Sequence, residues 1–181
     1  MQTFVALLRG INVGKANRIP MAELRALLIT HGYSEVATLL NSGNVVFRSE
    51  HSLQSKHAEA ISLAISEKFS IQVPVIVKSA QELAAIIKEN PIDATGVDHS
   101  QLLVAFVQES SELRGISSME SLVSLPERFI TGKGAAYLHC PSGILASKAA
   151  KALHGKAGKA TTTRNWATVL KLQTLAEACS A

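Results

Sequence analysis

The sequence predicts an α+β fold: two ferredoxin-like α/β sandwich units in tandem, each an antiparallel sheet with helices on one face. Three observations predict it. Over the first ninety residues, short apolar runs of strand length alternate with helical periodicity in the order strand, helix, strand, strand, helix, strand, helix. A polar, turn-rich segment, "NPIDATGVDHS", follows. The pattern then resumes in rougher form. The boundary falls in that segment, giving a first unit over 1–92, which includes an extra helix, and a second, degenerate unit over 93–181.

Taken in order, "TFVALL" is an apolar run suited to a buried strand. Pro20 suits the first position of a helix, where its missing N–H costs nothing, and Met21, Leu24, Leu27 and Leu28 share one face of that helix until Gly32 ends it. "EVATLL" and "NVVFRS" flank the turn sequence "NSG" as a hairpin. Leu53, Ile61, Ile65 and Phe69 mark a second helix, and "QVPVIV" a fourth strand. Ser79 with Glu82 forms a capping box for a third helix, which "NPID" terminates. In the second unit "LLVAFV" is a strand, Ser117 with Glu120 suggests a short capped helix, and "RFITGKG" with "AAYLHC" forms a hairpin. "PSG" opens an alanine-rich helix ending at His154-Gly155, and "KAGKATTT" leads into a C-terminal helix that stands where a fourth strand would be.

At 181 residues and 47% apolar composition the chain can bury a sizeable core. No run approaches the roughly 18–20 apolar residues that span a bilayer, and "MQTFVALLRG" lacks the succession of a signal peptide, so a cytoplasmic protein with no membrane partner is expected. Cys140 and Cys179 lie far apart with no histidine spacing to match; no metal site, cofactor or disulfide is expected, and both are read as small buried hydrophobes. The charge is unevenly placed. Residues 1–127 carry ten basic and thirteen acidic side chains, whereas eight basic residues lie between Arg128 and Lys171 and no carboxylate stands between Glu127 and Glu177. Such a stretch favours phosphate-bearing partners.

The segment "RGINVGKANRIP" resembles a phosphate loop without satisfying its chemistry. A nucleotide-binding loop needs four residues between its glycine and the Gly-Lys pair and a Ser or Thr after the lysine; here Gly10 and Gly14 enclose three, and Ala16 follows Lys15. What remains is Arg9, Asn12, Lys15, Asn17 and Arg18 crowded between a strand and a helix N-terminus, a place that can receive an anion. Asn41, Ser42, Gly43 and Asn44 form a hairpin turn. In "TTTRNW" a threonine caps the last helix, which puts Arg164 and Asn165 in its first turn, where a cation is a poor match for the helix dipole unless an anion joins it. Trp166 reads as a core plug, and Lys148 sits near a helix start.

Catalytic signals are thin. There is no Gly-x-Ser-x-Gly or His-Glu-x-x-His motif, and the neighbours His139 and Cys140 point to opposite faces of a strand. The chain is 4% aromatic, too little for base stacking of the kind RNA-recognition folds use.

"ALLRGINVGKANRIPMAELRALL", "LNSGNVVF", "YLHCPSGILASK" and "TTTRNWATVLKL" together resemble, in order and spacing, the bacterial family catalogued as domain of unknown function 1697, DUF1697. The resemblance spans the whole chain and implies two ferredoxin-like units but no particular reaction. It departs at Lys15, where the family often has a second glycine, and at Ala167, where it often has asparagine. With the loop reading, it makes Arg9, Asn12, Lys15, Asn41, Ser42, Asn44, Lys148, Thr163, Arg164 and Asn165 the candidate ligand-binding surface, beside Trp166. The expected function is binding of a phosphate-bearing small molecule or nucleic-acid backbone in a basic cleft between the units. The alternatives are an enzyme acting on a phosphorylated or nucleotide substrate, and a purely structural role for these residues where the units meet.

Overall fold

The computed structural model describes residues 1–14 and 16–180. Contacts group residues 1–83 with 172–181 and, separately, residues 84–171.

The first unit runs β1 (Gln2–Leu8), α1 (Met21–Thr30), β2 (Ser34–Leu39), β3 (Asn44–Ser49), α2 (Gln54–Phe69), β4 (Val75–Ser79) and the start of α3 (Ala80–Lys88). Its sheet has the antiparallel order β2-β3-β1-β4, that of a ferredoxin-like unit. Alternation along β1 sends Phe4, Ala6 and Leu8 into one core with Leu24, Leu27 and Leu28 of α1 and Ile61 and Ile65 of α2. Burying each such large side chain contributes about 1.5–3 kcal/mol. Within this core His57 is ringed by Phe4, Phe47 and Tyr33; its Nε2 lies 2.9 Å from the His51 carbonyl and its Nδ1 3.2 Å from Tyr33 Oη. Nε2–H therefore donates to the carbonyl, and the phenol donates to Nδ1.

The second unit holds β5 (Leu102–Val107), two 3-10 turns (Ser110–Gly115 and Ser117–Leu122), β6 (Arg128–Thr131), β7 (Ala135–His139), a third 3-10 turn (Ile144–Ala146), α4 (Lys148–His154), β8 (Thr161–Asn165) and the start of α5 (Trp166–Ser180). Its sheet order, β6-β7-β5-β8, repeats the first. Leu103, Ala105 and Val107 pack on Leu113, Met119 and Leu153.

Several expectations need correction. The second unit does have its fourth strand: Thr161–Asn165 pairs antiparallel with β5, because a run of β-branched threonines beside an apolar strand gains more from a ladder than from a cap. Ser117 and Glu120 do not box a helix; Ser117 Oγ donates to the Arg114 carbonyl, and the capping box belongs to Glu109 and Glu112. Pro20 is the residue before α1, extended at φ −64° and ψ 129°, rather than its first residue. Leu53 precedes α2 and is exposed. The Ser79–Glu82 box forms as expected, with Ser79 N donating to Glu82 Oε2 at 2.8 Å and Glu82 N to Ser79 Oγ at 3.1 Å.

Candidate functional site

The opening loop is braced by its own asparagines. Asn12, in the left-handed region at φ 55°, accepts from Ile19 N at 2.9 Å and donates through Nδ2 to the carbonyls of Ile19 at 2.9 Å and Asn41 at 2.8 Å. Asn17, also left-handed, donates to the Gly10 carbonyl at 3.2 Å, and Asn12 N to Asn17 O at 3.1 Å. Asparagine tolerates this backbone while capping it, so the loop closes on itself.

The turn at 41–44 docks against that loop. Leu8 N donates to Gly43 O at 2.8 Å, and a Cβ at Gly43 would sit 2.6 Å from Leu8 Cβ and 2.8 Å from Ile11 Cδ1 at a φ of +79°. Only glycine fits both the backbone and the space. Asn44, fully buried, donates to the Leu39 carbonyl and to Ser42 Oγ, each at 2.9 Å. The structure thus gathers the predicted residues Arg9, Asn12, Asn41, Ser42 and Asn44 around one loop junction, with Asn12 and Asn44 serving as braces. Lys15 lies outside the described residues. Arg9 is half-buried, and desolvation lowers its guanidinium pKa from the usual value.

Beside this junction lies a cleft of about 260 Å³ lined by Asn12, Arg18, Ile19, Pro20, Met21 and Asn41. Two of its features lie outside the candidate residues: Arg18, which the sequence places only in the loop's cationic cluster, and the start of α1, which falls at Met21 with no side-chain cap rather than at Pro20. Glu23, in the first turn of α1, is drawn to Lys68 at 3.8 Å.

In the second unit Arg164 is on β8, not in the first turn of a helix. It is 8% exposed, and Nη1 donates to Thr162 Oγ1 at 2.9 Å and to the Thr163 carbonyl at 2.8 Å. Burial pulls its pKa down to about 10. Thr163 Oγ1 pairs with His154 Nε2 at 2.9 Å, and Asn165 caps α5 by accepting from Thr168 N at 2.9 Å. Lys148 is exposed at the first position of α4, where Ser147 is the cap. Trp166 is buried.

A relation between the units was invisible in sequence. Arg164 lies opposite Val104 on β5, and Lys78, 4% exposed, lies opposite Val5 on β1. In each unit the penultimate residue of the last strand is thus a buried cation on the sheet face away from the helical core, and the next residue, Ser79 or Asn165, caps a helix.

Nucleophilic chemistry finds little support here. Cys140 is buried, and desolvation, aided by Glu127 3.5 Å from its sulfur, pushes the thiol up to about 12. Cys179 is partly exposed rather than buried, and burial also raises its thiol. Among the described residues no group of three or more His, Cys, Asp or Glu side chains could hold a metal ion, and no helix is long and apolar enough to cross a membrane.

The family profile described as "Protein of unknown function (DUF1697)" matches residues 1–137. The chain belongs to the DUF1697 family. This DUF1697 chain is also similar to a solved structure, that of conserved bacterial protein SP0830 from Streptococcus pneumoniae, at 25% identity over 97% of this chain and 98% of that one, with a TM-score of 0.72. No curated protein matches. The structural likeness covers 97% of the chain, whereas the DUF1697 profile ends at residue 137, ahead of α4, β8 and α5.

Proposed function

We propose that this DUF1697 protein binds a phosphate-bearing ligand, a nucleotide or a nucleic-acid backbone, with the phosphate in the cleft where α1 begins. One observation carries the reading: Arg18 and the first residue of the uncapped α1 line the same 260 Å³ hollow. The first turn of a helix leaves backbone N–H donors without intrahelical partners and a partial positive charge, and an adjacent guanidinium adds a full one. The brace made by Asn12 holds Ile19 and Asn41 at the walls, so the hollow persists without a ligand to shape it. The carboxylate-free stretch of the second unit supports a polyanionic ligand, since seven of its eight basic residues are exposed, Arg164 being the exception.

The test is a ¹H–¹⁵N NMR titration of the full chain with inorganic phosphate, ADP and a short RNA at two salt concentrations. Phosphate and ADP are expected to shift the amides of Met21, Ala22 and Glu23, and Arg18→Ala to weaken binding by about fivefold to tenfold, roughly 1–1.4 kcal/mol. RNA that binds more tightly than ADP and with a steeper salt dependence assigns the backbone as ligand. If none of the three probes moves those amides, the proposal falls.

A further inference from the structure

The end of the first sheet away from the opening loop carries a second hollow, of about 350 Å³, lined by Arg48, Gln2, Thr3, Ser52, Gln54 and Gln81 among others. β1 is seven residues long, so its two ends are about 20 Å apart, and the two hollows share no lining residue. Thr3 and Arg48 are cross-strand partners on the face away from the helical core, and Thr3 Oγ1 is hydrogen-bonded to Ser180 Oγ of α5 at 2.8 Å, the serine proton going to the Ala176 carbonyl.

We infer that this hollow is a binding site for a small neutral polyol, with a pentose-sized sugar as its reference ligand. Arg48 is the charged side chain among its described lining residues, and it is already matched, as is Lys78 nearby. Arg48 Nη1 lies 2.9 Å from Glu35 Oε1, and Lys78 Nζ 3.8 Å from Glu82 Oε1. The N-terminus of α3, which would otherwise attract an anion, already holds the Glu82 carboxylate, whose Oε2 accepts from Ser79 N, Ser79 Oγ and Gln54 Nε2. A phosphate in the hollow would be repelled by that carboxylate, which Ser79 and Gln54 of the wall hold close by; a neutral hydroxylated molecule would not.

The walls ask for hydroxyls. Arg48 lines the hollow and its Nε has no acceptor among the described residues; that atom is sealed from solvent, so a ligand hydroxyl accepts from it once the guanidinium turns toward the hollow. The side chains of Gln2, Ser52 and Gln81 make no hydrogen bond to another described residue, and Gln54 commits its amide nitrogen but not its oxygen. Donors and acceptors therefore stand side by side, which suits a group that both gives and accepts a proton, as a hydroxyl does. No aromatic ring is among the lining residues, which leaves a nucleobase without a stacking partner. The volume lies within the range of small-molecule sites, about 300–1,000 Å³.

The experiment is an NMR titration of the full chain with D-ribose, xylitol and inorganic phosphate in parallel. Ribose or xylitol is expected to shift the amides of Gln2, Thr3, Ser52 and Gln81 and the Nε–H of Arg48 while leaving Met21–Glu23 in place. Gln81→Trp, a change at an exposed position on α3 that fills the hollow, is expected to weaken this response at least about tenfold with the rest of the spectrum retained. The inference is overturned if neither polyol moves these signals, if phosphate is the probe that moves Arg48 Nε–H, or if Gln81→Trp leaves the response intact. Phosphate acting at Met21–Glu23, or failing to, bears on the other cleft alone.

Discussion

Asn12 is the residue whose replacement separates bracing from ligand contact. Its side chain makes three hydrogen bonds, to Ile19 N, Ile19 O and Asn41 O, at 2.8–2.9 Å. Each is worth about 0.5–1.5 kcal/mol net, so their loss costs about 2–3 kcal/mol for a partly exposed side chain. Alanine at φ 55° adds about 1 kcal/mol that glycine does not. Asn12→Ala should therefore destabilise the chain by about 3–4 kcal/mol, and Asn12→Gly by about 1 kcal/mol less. At roughly 2–4 °C per kcal/mol for a chain of this size, Asn12→Ala should lower Tm by roughly 6–15 °C in a thermal melt. Asn12→Asp is the sharper control: it keeps the acceptor for Ile19 N but turns the amide donor into an acceptor facing two carbonyls, and should be no better than alanine. If Asn12→Asp melts with the wild type, the brace is not what holds this loop, and the account of the cleft wall fails with it.

Gly43→Ala should be at least as damaging, about 2–5 kcal/mol by urea unfolding, because the added methyl meets Leu8 and Ile11 at a backbone angle alanine resists; an unchanged midpoint would refute the close approach. Tyr33→Phe removes the donor to His57 Nδ1 inside the aromatic ring cluster, for a loss of about 1 kcal/mol, and His57→Phe in that background should add less than it does alone in a double-mutant cycle. Cys140, its thiol raised to about 12, should resist a thiol reagent at pH 8 in the native chain and react on unfolding. The raised value also fixes a pH trend. The stability linked to Cys140 is fully present below the unfolded thiol's pKa and is lost as pH rises from there through the folded value. Cys140→Ala should flatten unfolding free energy against pH in that alkaline window, and an unaltered slope would contradict the burial.

The first unit was readable because its signals are local: strand-length apolar runs, a helix with Leu24, Leu27 and Leu28 on one face, a Ser-x-x-Glu box and an Asn-Ser-Gly turn each point to one structure. The tail of the second unit was not, because a threonine run is chemically ambiguous. Thr161–Thr163 can cap a helix or line a strand, and the decision lies with Phe106 and Val107 across the ladder, more than fifty residues earlier. The same ambiguity makes Arg164 read as helical where it is a strand residue. In the candidate surface the residue types were legible but their duties were not. Asn12 and Asn44 read as polar groups in loop and hairpin, Asn165 as part of a helix's first turn, and the structure uses all three to hold backbone. The cleft beside them depends on where α1 begins, a matter of one residue that periodicity does not resolve.

The shared placement of Lys78 and Arg164 bears on how this sequence can change. Alternate residues of a strand point to opposite sides, so inserting or deleting one residue ahead of either position would swing a positive charge into oil-like packing and pull the helix cap out of phase in the same stroke. Length at these two junctions should therefore tolerate less variation than the threonines or valines that spell them.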